Sequence, residues 1–275
     1  MSGFSAQWLN LREAADHRSR CDFSAALNAA AKRSWHIVDL GCGAGSNLRY
    51  LRPRLPAPGN APSQVWTCID NDEALLQLLT GESVATLAAD LSNGIAATLA
   101  TTNLNSATDG DCARLVTASA LLDLVSADWI DELVAACRTH AATAWFALSY
   151  DGRIELTPTL AHDSELCQLI NTHQRSDKGF GPALGPQAHA YTCDALSAAG
   201  FDVIEATSDW LLDASEDALI EQLLDGWLEA AREVAGDGTV LQRWETTRRA
   251  ELAAGRLAVR VGHRDLLAVP PRIDA

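Results

Sequence analysis

Three glycines at alternate positions, directly after a short apolar run, constrain this chain more than any other feature. The run is Trp35-His36-Ile37-Val38-Asp39-Leu40; Gly41, Gly43 and Gly45 follow, and then Ser46-Asn47-Leu48. An apolar run of that length with β-branched members reads as a buried strand. Leu48 and Leu51 read as the helix beyond the turn. A strand that ends in Gly-x-Gly-x-Gly and feeds a helix leaves backbone N–H groups open to close approach by a ligand. Glycine permits this because it has no Cβ and adopts positive φ at low cost. The pattern predicts the first strand, turn and helix of a doubly wound sheet.

The remaining segments keep that rhythm. Residues 4–33 read as helical, with the polar Asp16–Arg20 as a connection between two helices, although the same segment could sit over the ligand site. Strands are expected at Val65–Asp70, Val84–Ala89, Ala113–Ser119 and Ala142–Tyr150, with helices at Asn71–Leu79 and Asp128–Thr139 among them. Strands separated by helices imply parallel pairing with right-handed crossovers. The rhythm breaks at Asp151, and a Gly/Pro-rich insert over 151–190 carries a helix at His162–His173. A helix at Tyr191–Ala199 and a sixth strand at Phe201–Ala206 follow. Two long helices, Glu216–Val234 and Val240–Ala254, precede a last strand at Leu257–Val261, which Leu266–Val269 could extend. We therefore expect a single domain in four parts: N-terminal helices over 1–34, a ligand-binding core over 35–150, the insert over 151–190, and the rest of the sheet over 191–275.

Composition narrows the partners. A formal net charge of -15 disfavours nucleic acid and anionic membranes. The seven cysteines include no Cys-x-x-Cys, and the seven histidines no His-x-x-x-His, so neither a disulfide framework nor a metal is expected. Scattered thiols and the absence of an export signal point to a cytoplasmic protein. The apolar stripe Leu219, Ile220, Leu223, Leu224, Trp227, Leu228 is ordinary core, although a homo-oligomer surface is the other use for it.

In an open parallel sheet the ligand lies beyond the carboxyl ends of the strands. Asp39, Asp70 and Asp90 mark three of those ends. A carboxylate after the second strand can accept both ribose hydroxyls, and one after the third can accept from the exocyclic amine of adenine. Dinucleotide sites use Gly-x-Gly-x-x-Gly against a pyrophosphate. Here the third glycine comes one position early and an acid precedes the run, which suits a cationic nucleoside such as S-adenosylmethionine.

Val38-Asp39-Leu40-Gly41-Cys42-Gly43-Ala44-Gly45 resembles motif I of the class I S-adenosylmethionine-dependent methyltransferases. Ile69-Asp70-Asn71, Ala89-Asp90-Leu91 and Leu115–Leu122 are similar, in order, to the family's later cofactor segments. The resemblance implies a mostly parallel seven-stranded α/β sheet with helices on both faces and an antiparallel last strand. It further implies S-adenosyl-L-methionine as cofactor, held by Asp39, Gly41, Cys42, Gly43, Gly45, Asn47, Asp70, Asn71, Asp90, Leu91 and Ser119. Ser119 stands where many members carry an acid or an Asn-Pro-Pro-Tyr segment, and that departure favours a small-molecule acceptor over a nucleic acid base. His173 is the candidate general base, with Asp177, Lys178, Tyr150, His162 and His189 as further candidates. Gln174, Arg175 and Lys178 are candidates to hold the acceptor. Two other readings stay open: a non-catalytic S-adenosylmethionine-binding or assembly protein, and an NAD-dependent oxidoreductase.

Overall fold

The computed structural model describes residues 5–27, 34–55, 63–102, 104, 112–236 and 238–271. Its strands are β1 (Ser34–Leu40), β2 (Ser63–Asp70), β3 (Val84–Ala88), β4 (Cys112–Ser119), β5 (Thr143–Thr157), β6 (Asp202–Thr207), β7 (Trp210–Leu212) and β8 (Ala258–Val269). The helices are α1 (Ala6–Ser19), α2 (Ser24–Leu27), α3 (Ser46–Leu51), α4 (Glu73–Leu76), α5 (Ile95–Ala100), α6 (Ala127–Thr139), α7 (Asp163–Gln174), α8 (Ala188–Ala198), α9 (Asp217–Ala235) and α10 (Thr239–Ala253).

One sheet runs β3-β2-β1-β4-β5-β8-β6, with β7 also beside β8. The first five strands pair in parallel, and β8 lies antiparallel to β5, β6 and β7. Because β1 is covered on both faces, its apolar residues need not alternate with polar ones. Trp35 and Ile37 pack into one layer with Leu48, Tyr50, Leu51 and Trp66. Val38 and Leu40 pack into the other with Ile130 and Leu133 of α6 and Leu196 of α8. A third core joins the outer half of β5 and β8 to α7, α9 and α10. The stripe on α9 is buried in that core, so its apolar face packs within the chain. The fully buried Arg248 pins α10 to the start of α7, donating to Asp163 at 2.6 Å and to the Pro158 carbonyl at 2.7 Å. No described helix is long and apolar enough to cross a membrane.

Four expectations shift. Asp16–Ser19 is the last turn of α1 rather than a connection, because Asp16 pairs with Arg12 along the helix while His17 and Arg18 reach Ser46 and Glu216. The strand expected to stop at Tyr150 continues to Thr157, since Ile154 and Leu156 turn inward and pair with Val261 and Val259. Leu257–Val261 and Leu266–Val269 belong to one strand, because the polar residues between them pair with β5 and β6. Helix α4 is only one turn and its cap is Asp72, whose carboxylate accepts from Ala74 and Leu75. Part of the helical reading over 4–33 lies outside the described residues.

Candidate functional site

The turn after β1 is held open by its backbone. Gly41, Gly43 and Gly45 have φ of 60°, 51° and 82°, a region in which a side chain is strained. The Cys42 N–H donates to the Ile69 carbonyl at 3.0 Å, and the Gly45 N–H to the Cys42 carbonyl at 2.9 Å. Asp70 accepts from the Gly43 N–H at 2.8 Å through one oxygen and from the Asp72 N–H at 3.0 Å through the other. The acid at the end of β2 is thereby fastened to the middle glycine of the turn. A Cβ on Gly41 would meet Leu121 at 3.4 Å, and one on Gly43 would meet Leu9 at 3.0 Å. Leu79 stands against Gly45. Asp90 caps a short turn after β3, taking the Ser92 N–H at 2.9 Å and its hydroxyl at 2.7 Å through one oxygen. The Leu91 carbonyl accepts from the Trp129 indole at 2.8 Å, and Asn71 is exposed.

Beneath the turn lies a buried polar network. Asn47 donates to Asp39 at 2.6 Å and to the Thr117 hydroxyl at 3.1 Å, and it accepts from Arg20 at 2.8 Å. Asp39 is fully buried and Arg20 nearly so. Burial pushes the Asp39 carboxyl up to about 7, against the pull of Asn47 and of the Arg20 charge. Burial likewise lowers the Arg20 guanidinium from its ordinary value. One oxygen of Asp39 and two nitrogens of Arg20, Nε and Nη2, have no hydrogen-bond partner. Such orphaned buried groups are costly unless something completes them. The Arg20 plane lies 4.0 Å over the Tyr50 ring.

Helix α1 closes over the turn. His17 donates to the Ser46 carbonyl at 3.0 Å. Arg49 bridges the Ala44 carbonyl at 2.7 Å and Glu13 at 2.7 Å. A cavity of about 630 Å³ remains between α1 and the turn, lined in part by Asn10, Glu13, His17, Ala44 and Arg49.

A second polar set gathers past the ends of β4 and β5. Asp123, in the turn after β4, is buried with one oxygen unpartnered, and burial pushes its carboxyl up to about 6. The backbone N–H groups of Asp123 and Tyr150, together with the Arg12 charge, pull it the other way. The Tyr150 hydroxyl donates to Asn171 at 2.8 Å. His263 packs between Tyr150 and Trp210, and burial lowers its imidazole to about 3. Arg12 stacks 5.0 Å from Trp210. Trp8, Ser149 and His263 each leave a buried polar atom without a partner. The backbone is strained here too: Ala120 and Leu148 have φ of 54° and 56° although neither is glycine.

The sequence matches no protein-family model and no curated protein. Among solved structures, a cyclopropane-fatty-acyl-phospholipid synthase-like protein from Lactobacillus casei is similar over 96% of this chain and 94% of its own. Its identity is 15% and its TM-score 0.50. YcgJ from Bacillus subtilis reaches a TM-score of 0.48 at 11% identity over 91% of this chain and 98% of its own. The cyclopropane synthase CmaA1, solved with SAH and CTAB, reaches 0.43 at 12% identity over 89% and 83%. This is the class I methyltransferase fold.

In this fold the sequence-derived core residues converge: Gly41, Cys42, Gly43, Gly45 and Asp70 form one hydrogen-bonded turn, and Asp39 and Asn47 form its floor. Ser119 ends β4 opposite Ala147 of β5. The insert residues stand apart from the turn. His173 donates to Glu233 of α9 at 2.9 Å, Lys178 donates to the His173 ring at 3.3 Å, and Arg175 is exposed. Gln174 and Arg175 pack beside Gly185. His162 pairs with Glu165 at an exposed helix start, and the Asp177 carboxylate takes the Gly179 N–H at 2.7 Å. His189 lies on α8, away from the turn. No local spacing in the sequence distinguishes Arg12, Asp123 and His263, which only the fold brings together; Arg20 lies in the polar Asp16–Arg20 segment, and the fold buries it beside Asn47.

Proposed function

We propose that this protein is an S-adenosylmethionine-dependent methyltransferase acting on a small-molecule acceptor. The observation that carries the reading is the pairing of an orphaned acceptor on Asp39 with orphaned donors on Arg20, both tied to Asn47 below the glycine turn. An α-ammonium and an α-carboxylate would complete those groups, and S-adenosylmethionine carries both. Asp70 and Asp90 then stand at the next two strand ends for the ribose and the adenine. A pyrophosphate has no use for a buried acid beneath the turn, which disfavours NAD.

When bound, S-adenosylmethionine supplies a methyl group already activated by its sulfonium, so the chain's task is alignment and, where the acceptor is protic, proton removal. Leu121, which packs against Gly41, joins the turn to the second polar set. In our reading Asp123 accepts the acceptor's proton, Tyr150 and Arg12 orient it, and Trp8 and Trp210 keep water out. A carboxyl tuned to about 6 is a base near neutral pH. The segment around Phe180, whose ring meets Trp129 edge to face, and α7 would border the acceptor. The free cysteines and net charge suit a soluble enzyme of a reducing compartment.

Calorimetric titration with S-adenosylmethionine and, separately, with NAD tests the cofactor. Binding of NAD alone would sink the proposal. Transfer of tritiated methyl from the cofactor into a metabolite extract tests the reaction; tight cofactor binding with no labelled product would leave a sensor or assembly protein instead.

A further inference from the structure

The far side of the sheet holds a cluster that the methyl-transfer reading does not use. His189 and Cys193 are one helical turn apart on α8, so both side chains fall on the same face. That face packs over β6, where Glu205 and Thr207 point the same way by strand alternation, opposite Leu266 and Arg264 of β8. His189 Nε2 donates to Glu205 Oε2 at 2.8 Å, and Cys193 Sγ lies 3.5 Å from His189 Nε2. One ligand atom from each of the three residues falls within 4.8 Å of the others. His189 and Cys193 are buried, and Glu205 reaches them from the rim. A cavity of about 360 Å³ opens on His189 and Glu205 and is also lined by Asp151, Arg153 and Arg264.

We propose that His189, Cys193 and Glu205 form a zinc-binding site whose fourth coordination position faces this cavity. The donor set is one imidazole, one thiolate and one carboxylate, the borderline mixture that zinc accepts. Zinc bond lengths at tetrahedral angles place sulfur and nitrogen about 3.6 Å apart and nitrogen and oxygen about 3.4 Å apart. The sulfur–nitrogen distance already matches, and the His189–Glu205 pair needs to open by about 0.6 Å. Burial lowers the His189 imidazole from its ordinary value, against the pull of Glu205, and so favours the neutral ligand form. It also holds the Cys193 thiol protonated, with neighbouring Glu205 adding to that effect. Zinc takes the thiolate, so binding releases a thiol proton and affinity should rise with pH. Binding through Nε2 moves the imidazole proton to Nδ1, which has no partner here, so most of the affinity should come from Cys193 and Glu205. The charge balance is favourable. Thiolate and carboxylate neutralise the ion, which leaves Arg264 to favour an anion or hydroxide in the open position.

The full chain, purified under reducing conditions and stripped with chelator, tests this by titration with zinc against a chromophoric chelator and with cobalt as a spectroscopic stand-in. The expected result is one tight zinc site and a thiolate-to-cobalt charge-transfer band. Cys193→Ser should remove the band and weaken zinc by about a hundredfold. Glu205→Gln, on a half-exposed side chain, should weaken zinc by about tenfold. Zinc should raise the melting temperature of the wild type and not that of Cys193→Ser. Affinity and cobalt spectra unchanged in both variants would overturn the proposal by assigning the ion to other cysteines, as would the absence of any tight site in the wild type. S-adenosylmethionine affinity, measured on the same samples, checks that each variant retains its fold.

Discussion

The two polar sets at the carboxyl edge of the sheet are built differently. The set around β1 and β2 is built on a backbone device: three left-handed glycines and a strand-end carboxylate fastened to one of them, over a floor of Asp39 and Asn47. The set around β4 and β5 is a side-chain device. Arg12, Asp123, Tyr150 and His263 arrive from α1, the turn after β4, β5 and β8; burial shapes Asp123, Tyr150 and His263, while Arg12 is held by Asp16 one turn along α1. A backbone device tolerates change only where the backbone does, whereas a side-chain device can be retuned residue by residue. One should hold an invariant ligand and the other a variable one.

That contrast can be broken from either side. Asp123→Asn should leave S-adenosylmethionine affinity unchanged and lower kcat by about a hundredfold to a thousandfold, the range of a lost general base. In the wild type the base form exists above the raised value, so kcat should fall as pH drops through about 6, and Asn should abolish that limb. If the variant lost cofactor affinity instead, the two devices would not be separate. Gly43→Val places a branched side chain at φ of 51° and against Leu9, and calorimetry should show about a hundredfold loss of cofactor binding. Arg20→Gln tests the floor: S-adenosylmethionine should weaken about thirtyfold, or about 2 kcal/mol, while adenosine, which has no amino-acid group, should bind as before. Equal losses for both ligands would place Arg20 outside the head-group site. The smallest effect is expected at His173, whose partner is Glu233. His173→Ala should change kcat and acceptor KM by less than about twofold.

The first device was legible in the sequence because its parts are consecutive. Gly41, Gly43 and Gly45 report a required backbone conformation directly, and Asp70 follows an unmistakable apolar strand. Of the second, only Tyr150 stood out in the sequence. Asp123 lay in a segment whose apolar residues drew the attention, and His263 sat between two apolar runs that read as separate strands. The insert's dense polar residues suggested chemistry, yet in the structure His173 and Lys178 meet an acid of α9. Density of hydrogen-bonding side chains marks a surface as readily as a site, and only burial tells the two apart. The sequence offers His189 as a candidate base, but its grouping with Cys193 and Glu205 is hidden for a related reason: Glu205 belongs to another element, so no spacing rule for two residues registers the cluster.

The sequence by itself determined the glycine turn, the order of strands and helices along the core, and the acids at the strand ends, all of which follow from residues close together in the chain. Tertiary structure decided which lone charges became buried, which strand continued past its expected end, and which histidine met a thiol. Those outcomes depend on desolvation and on contacts between elements far apart in sequence. Arg20 shows the division plainly: in the chain it is one polar residue among several, and only the packing of α1 and α3 over β1 leaves its guanidinium buried beside Asp39 with donors to spare.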